Sequence, residues 1–146
     1  MGRRFGSNEG HEVNRLIVDT SVWIDFFNGV QNKQSEYLAG SIESGKTIFL
    51  HSIILMEILQ GFRSDHDHAE VKDILLSYNF VMEDPVSDAI GASDLYRSLK
   101  KKGITIRKSM DCLIAYAAIK NGLPLLHRDR DFDIIAKHSK LKLIAP

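Results

Sequence analysis

The stretch SMDCLIAYAAIKNGLPLLHRDRDFD, residues 109–133, decides the fold of this chain. Ser109 is a good helix N-cap, and apolar residues then occupy most positions up to Ile119, which predicts a largely buried helix. Asn121-Gly122 is suited to end that helix, and the apolar run 123–126 predicts a short buried strand. The stretch therefore predicts a helix, a tight turn, a strand and an acidic loop.

Two acidic residues of this stretch are expected to lie at the same edge of a sheet. Asp111 falls in the first turn of the predicted helix, where the helix dipole favours a carboxylate. Asp129 follows the strand, 18 residues later. Because the helix and the strand run antiparallel, the carboxyl end of the strand returns to the start of the helix. The two carboxylates are therefore predicted to face each other.

The composition predicts one globular domain. The chain has 146 residues, of which 44% are hydrophobic and 26% charged, enough for a sizeable core. We assign residues 15–146 to that domain. Residues 1–14 are polar and contain glycine, and they lack the apolar segment of a secretory signal, so we interpret them as a disordered leader or a remnant of cloning.

Charge and cysteine content restrict the function classes. Nineteen basic and nineteen acidic residues cancel, so a nucleic-acid-binding role would depend on local patches rather than on net charge. The single cysteine, Cys112, excludes an internal disulfide and favours a reducing cytoplasm. No apolar run approaches the roughly 20 residues of a membrane span, so no membrane association is expected.

Apolar segments alternate with helical patterns along the rest of the chain. Predicted strands cover residues 16–18, 47–50 and 80–82, in addition to 123–126, and residues 141–144 are expected to add a fifth strand at the edge. Strands and helices that alternate through short links are typical of α/β domains. The predicted fold is a three-layer α/β/α sandwich with a mainly parallel, five-stranded sheet.

Two more acidic residues are candidates for chemistry. Asp19 ends the first strand, at the sheet edge where open α/β domains place their sites, although it could serve only as a helix N-cap. Thr20 or Ser21 could cap the next helix. Glu57 lies among the aliphatic residues of a predicted helix, where a lone carboxylate is costly to bury without a cation. The alternative is an amphipathic helix with Glu57 facing solvent.

The acids Asp19, Glu57, Asp111 and Asp129, with Asp131 close to the last, form the candidate catalytic group. Carboxylates about 5 Å apart repel each other by roughly 3 kcal/mol per pair at an effective dielectric near 20, so their convergence requires compensation. Oxygen ligands without cysteine favour Mg²⁺ or Mn²⁺ over Zn²⁺. Such ions polarise phosphates and activate water, so the group predicts metal-assisted hydrolysis of phosphodiester bonds.

Three segments carry a resemblance to a known family. They are LIVDTSVWIDFF at 16–27, ILMEILQGF at 54–62 and MDCLIAYAAIKNGLPLLHRDRDFDIIA at 110–136. Together they resemble the PIN-domain ribonucleases, and most of all the VapC-type toxins of bacterial toxin-antitoxin pairs. The resemblance implies a Mg²⁺- or Mn²⁺-dependent endoribonuclease that cleaves structured RNA such as transfer or ribosomal RNA. It also implies a homodimer, and a VapB-like antitoxin whose tail blocks the site.

The resemblance also implies roles for single residues. Asp19, Glu57 and Asp111 match the first three acidic metal ligands of the family. Asp129 matches the fourth, with Asp131 as its competitor, and we favour Asp129 because it lies nearer the end of the strand. The sequence departs from the family at His127, where threonine or serine is common.

Four basic residues lie near these acids in sequence and are candidates for binding RNA phosphates, although they could equally be solvated surface: Arg107, Lys108, Arg128 and Arg130.

Two other function classes compete with the nuclease. A phosphatase that forms an aspartyl phosphate would need Asp-x-Asp after the first strand, where Ser21 stands instead. A non-catalytic α/β binding module, such as a dinucleotide binder, lacks its Gly-x-Gly-x-x-Gly motif here.

Overall fold

The structure is a computed structural model and describes residues 13–146. The predicted leader or cloning remnant covers residues 1–14, of which residues 1–12 fall outside the described residues. At the start of the described chain, Val13 packs against the core. The carbonyl of Asn14 accepts a hydrogen bond of 2.9 Å from the backbone N–H of Thr47.

Strands and helices alternate along the described chain, as the sequence predicts. Their bounds, in chain order, are β1 Arg15–Val18, α1 Thr20–Phe27, α2 Lys33–Glu43, β2 Thr47–Leu50, α3 Ser52–Leu59, α4 Asp65–Leu76, β3 Asn79–Phe80, α5 Pro85–Lys101, α6 Ser109–Lys120, β4 Leu125–Leu126 and α7 Arg130–Lys137. Helices flank the sheet, and the predicted α/β/α sandwich is confirmed.

The sheet is parallel, with the strand order β3-β2-β1-β4. The chain moves outward from β1 to β2 and β3 and then returns to the other side of β1. Right-handed crossovers therefore place α1–α4 on one face and α5–α6 on the other. The strand order reverses between β1 and β4, and a reversal of this kind opens a crevice at the carboxyl ends of the two strands.

The prediction of a fifth strand at residues 141–144 is wrong: within residues 13–146 the sheet has four strands. Leu143 makes only an isolated parallel bridge to Leu125. The two bonds run from Leu125 N to the Lys142 carbonyl and from Ile144 N to the Leu125 carbonyl, both 2.9 Å. Because β4 is only two residues long, it offers the chain end these two bonds and no continuous ladder.

The core lies on both faces of the central strands. Leu16, Ile17 and Val18 of β1 are completely buried. Trp23 and Phe132 are the largest fully buried side chains, so the helices that follow β1 and β4 are both anchored directly beside the end of their strand.

The packing of α5 on α6 sets the position of the helix that carries Asp111. A Cβ atom added at Gly91 of α5 would lie 2.2 Å from the ring of Tyr116, so glycine permits the close approach of the two helices. Further along, the Lys120 ammonium donates a 2.7 Å hydrogen bond to the buried carboxylate of Asp88. These contacts fix the second half of α6 against α5.

Candidate active site

A cavity of about 640 Å³ opens where the strand order reverses, at the carboxyl ends of β1 and β4. Its lining brings together the four predicted catalytic acids and the four predicted RNA-binding residues, and Thr20, Ser21 and Ile24 complete the wall. The full lining is Asp19, Thr20, Ser21, Ile24, Glu57, Arg107, Lys108, Asp111, Arg128, Asp129 and Arg130. Asp131, the fifth predicted metal ligand, is absent from this lining.

Asp19 is held in place by both strands that border the cavity. It is the first residue after β1, and its backbone N–H donates a 2.9 Å hydrogen bond to the carbonyl of Leu126 in β4. Although Asp19 occupies the N-cap position of α1, its side chain makes no capping hydrogen bond. The Ser21 hydroxyl donates to Asp19 Oδ2 at 3.2 Å instead. Burial raises the pKa of the Asp19 carboxyl.

Glu57 faces the cavity and not bulk solvent, so the alternative of an outward-facing glutamate is wrong. The Thr20 hydroxyl donates a 2.7 Å hydrogen bond to Glu57 Oε1, which ties α3 to the start of α1. The sequence suggests Thr20 or Ser21 as helix caps, but both lie inside α1 and their hydroxyls bind acids. Their position directly after Asp19 is the signal that could have revealed this role.

Asp111 is the buried acid at the start of α6. It lies in the first turn of α6, whose N-cap position is Lys108 and not Ser109, because the backbone is already helical at Ser109 and extended at Lys108. The Asp111 carboxylate is buried, and its Oδ2 atom has no hydrogen-bond partner. Burial, together with the charges of Asp19 and Asp129, raises the pKa of Asp111 to about 7.

Asp129 and Asp131 differ in their partners. Asp129 caps α7, and its Oδ1 atom accepts a 2.9 Å hydrogen bond from the backbone N–H of Asp131. The Asp131 carboxylate pairs with Arg107, with 3.2 Å between Oδ2 and Nε. A second nitrogen of the same arginine lies 3.8 Å from Asp129 Oδ1. One carboxylate oxygen from each of Asp111, Asp129 and Asp131 lies within 4.8 Å of the others.

The basic residues form the rim of the cavity. The side chains of Arg107 and Arg128 are 64% and 43% exposed, so both guanidinium groups remain accessible from solvent. Arg128 also pairs with Asp25 of α1, which fixes its guanidinium beside the cavity. Arg128 and Arg130 continue into an adjoining cavity of about 440 Å³. A phosphate chain that enters the acidic centre must pass these cations.

The donor set fits a divalent cation. Four carboxylates line the cavity, and the buried Asp111 Oδ2 atom has no hydrogen-bond donor in the protein. An unpartnered buried carboxylate oxygen is expected at a position that binds a cation. Oxygen-only donors suit hard ions. The arrangement can neutralise a cation at its base and attract a polyanion at its rim.

The sequence pattern of the PIN domain matches residues 16–138. This chain belongs to the PIN-domain family. Across residues 13–146, every helix is too short or too polar to cross a membrane.

Relatives of this PIN domain include VapC ribonucleases. Ribonuclease VapC11 of Mycobacterium tuberculosis is 31% identical over 128 residues, which are 87% of this chain and 96% of the relative. Ribonuclease VapC1 of Methanocaldococcus jannaschii is 30% identical over 82% of this chain and 79% of its own length. The crystal structure of VapBC2 from Rickettsia felis, bound to a DNA fragment from their promoter, has a similar fold, with a TM-score of 0.69 at 21% identity over 89% of this chain and 97% of that one.

Proposed function

We propose that this PIN domain is a Mg²⁺- or Mn²⁺-dependent endoribonuclease and the toxin of a toxin-antitoxin pair. The observation that carries the proposal is the unpartnered, buried Asp111 Oδ2 atom in a cavity lined by acids from four separate elements or loops. A divalent cation would offset the repulsion between these acids, which supports metal dependence. The ribonuclease activity is supported by the names of relatives that match this chain over most of their length.

In this proposal Asp19, Glu57, Asp111 and Asp129 hold the cation. When bound there, a divalent ion polarises the scissile phosphate and lowers the pKa of an attacking water. Ser21 orients Asp19 and Thr20 orients Glu57 through their hydrogen bonds, so the oxygens are arranged before the substrate arrives. Without a cation, Asp111 retains its proton through much of the neutral range, which relieves part of the repulsion.

Asp129 is favoured over Asp131 as the fourth ligand. Asp129 lines the cavity, whereas the charge of Asp131 is already balanced by Arg107 at 3.2 Å. Asp131 also supplies the backbone N–H that fixes Asp129 Oδ1. We therefore assign Asp131 to the support of Asp129 and of Arg107.

Arg107, Lys108, Arg128 and Arg130 bind the phosphates on either side of the scissile bond. Their exposed guanidinium and ammonium groups suit a polyanion, and contacts of this kind carry affinity without base specificity. Structured RNA, such as transfer or ribosomal RNA, is the proposed substrate. Recognition of one particular RNA then depends on its shape.

The proposed partners are a VapB-like antitoxin, whose tail blocks the cavity, and a second copy of this chain. The antitoxin is supported by the fold shared with the VapBC2 complex of Rickettsia felis. We place the pair in the cytoplasm, where the buried Cys112 thiol stays reduced.

The test is cleavage of total cellular RNA by the purified protein, with the new ends mapped by sequencing. We expect cleavage with Mg²⁺ or Mn²⁺ and none in excess EDTA. Asp19→Asn and Glu57→Gln should reduce cleavage to background, because each removes an oxygen donor from the cation. Asp94→Asn, a change of the same kind at an exposed position of α5, is the matched control and should cleave normally.

Two results would overturn the proposal. Undiminished cleavage in EDTA would exclude the metal mechanism. Equal cleavage by Asp19→Asn and the control would show that the activity does not come from this cavity.

A further inference from the structure

Two buried histidines follow two strands of the sheet and make the same hydrogen bonds. His127 comes directly after β4, and its Nδ1 atom accepts the backbone N–H of Asp129 at 2.9 Å. His51 comes directly after β2, and its Nδ1 atom accepts the backbone N–H of Ile53 at 3.0 Å. In both cases the imidazole holds the residue two positions further along the chain.

The second nitrogen of each ring faces a carboxylate. His127 Nε2 lies 3.2 Å from Asp133 Oδ1, and His51 Nε2 lies 3.4 Å from Glu83 Oε1. A neutral imidazole whose Nδ1 accepts a hydrogen bond carries its proton on Nε2, the nitrogen that lies near the carboxylate. The ring of His127 also packs against Phe132, with the ring centroids 5.3 Å apart. His127 is thereby fixed in both orientation and tautomer.

The two histidines differ in what they hold. The N–H bound by His51 belongs to Ile53, which does not line the acidic cavity. The N–H bound by His127 belongs to Asp129, which does. Within residues 13–146, the Asp129 carboxylate accepts one hydrogen bond, from the backbone N–H of Asp131 to Oδ1. Its Oδ2 atom is left for the cavity.

From this geometry we infer that His127 is a positioning residue for Asp129, acting through the Nδ1 atom that accepts the Asp129 N–H. The inference rests on the proposed function, because it concerns how one acid is aimed at the cation. His127 does not line the acidic cavity, so it is not assigned as a ligand of the cation. It anchors the short connection between β4 and α7, in which Arg128 is the only residue between His127 and Asp129.

The physical basis is the length of that connection. β4 ends at Leu126 and α7 begins at Arg130. The carbonyl and Oδ1 atoms of Asp129 are bonded to N–H groups of α7, so the bond from its own N–H to His127 is what anchors it on the strand side. Without an acceptor at the position of Nδ1, the Asp129 N–H would lose its partner and the peptide would be free to rotate. The carboxylate would then leave its position opposite Asp111. Changes to residues that orient metal ligands typically weaken metal binding by about 10–100-fold.

The experiment measures Mn²⁺ binding by calorimetry and thermal stability in EDTA for variants of both histidines. His127→Asn keeps an acceptor oxygen close to the position of Nδ1, whereas His127→Gln moves its polar atoms out toward Nε2. We expect His127→Gln to weaken Mn²⁺ binding about 10–100-fold. His127→Asn should stay within about threefold of the wild type, because its acceptor is retained.

His51→Gln is the matched control. It breaks the same bond at the other strand, so it should lower the melting temperature while leaving the Mn²⁺ affinity within about twofold, because Ile53 contributes no ligand. Equal loss of affinity in His51→Gln and His127→Gln would show a general loss of structure and overturn the inference. Wild-type affinity in a folded His127→Gln would overturn it too.

The tautomer supplies a readout that needs no metal. Nitrogen-15 correlation spectra of the metal-free wild type should show His127 protonated on Nε2 and bare at Nδ1. A proton on Nδ1 would overturn the inference even if Mn²⁺ binds normally. If the wild type binds no Mn²⁺ at all, the proposed function fails and this inference fails with it. If the wild type binds Mn²⁺ and the His127→Gln variant binds it with the same affinity, only this inference fails.

Discussion

Replacing Asp111 by asparagine is expected to stabilise the metal-free protein, even though it removes a proposed ligand. Burial and the charges of Asp19 and Asp129 raise the pKa of the Asp111 carboxyl from 3.8 to about 7. A shift of this size corresponds to about 4 kcal/mol of differential interaction between the protonated and ionised forms. The free energy of unfolding of the metal-free protein therefore carries a penalty of that order when Asp111 is ionised.

The sign of the pH dependence follows from linkage. The unfolded chain ionises this carboxyl near pH 3.8 and the folded chain near pH 7, so the folded state loses stability as the pH rises between these values. Below that window both states are protonated and the penalty disappears. We expect Asp111→Asn to raise the free energy of unfolding by about 2–4 kcal/mol at pH 8, the lower figure allowing for relaxation of the cavity. At pH 4 the gain should fall below about 1 kcal/mol.

The assay is urea denaturation in EDTA at pH 4, 6 and 8, repeated at pH 8 with Mn²⁺. Mn²⁺ at about 100 times its dissociation constant should stabilise the wild type by about 2.7 kcal/mol and Asp111→Asn by much less. Asp94→Asn, at an exposed position, is the control and should follow the wild type throughout. A variant that is no more stable than the wild type at pH 8, or whose gain is independent of pH, would refute the reasoning.

Three further predictions concern the same site and its support. Mn²⁺ should bind about tenfold more weakly at pH 6 than at pH 8, because a carboxyl with a pKa of about 7 must release its proton first; a flat titration series would contradict this. Thr20→Val loses the hydroxyl bound to Glu57 and should weaken Mn²⁺ binding about tenfold in calorimetry, whereas Thr20→Ser should not. Equal affinities of the two variants would show that this hydrogen bond does not contribute to Mn²⁺ binding. Gly91→Ala should cost about 1–3 kcal/mol in urea denaturation, because its Cβ would collide with Tyr116; unchanged stability would mean that the ring moves freely.

The positions of the strands along the chain were largely accessible from the sequence, because buried parallel strands are short apolar runs with helical patterns between them. Leu16 to Val18 and Thr47 to Leu50 illustrate this. The absence of a fifth strand among the described residues could not be predicted. Residues 141–144 are mostly apolar, but the neighbouring strand is only two residues long and pairs with them at a single bridge. Pairing depends on the neighbour, which a local pattern does not contain.

The candidate site shows the same division. Asp19 and Asp129 could be placed at one edge because Asp19 directly follows one strand and Asp129 lies in the short loop after another, and the cavity that they share is consistent with this. The hydrogen bond from Thr20 to Glu57 joins residues 37 positions apart, and no spacing rule contains it. His127 could be noted as a departure from the family, but its bond to the Asp129 N–H depends on the path of the loop.

The central claim is that the acids of this cavity gather around a divalent cation. Anomalous diffraction from crystals grown with Mn²⁺ tests it most directly. We predict a peak inside the cavity, within coordination distance of Asp19, Asp111 and Asp129, with Asp131 still paired to Arg107. An empty cavity at saturating Mn²⁺, or a peak bound elsewhere on the protein, would contradict the account.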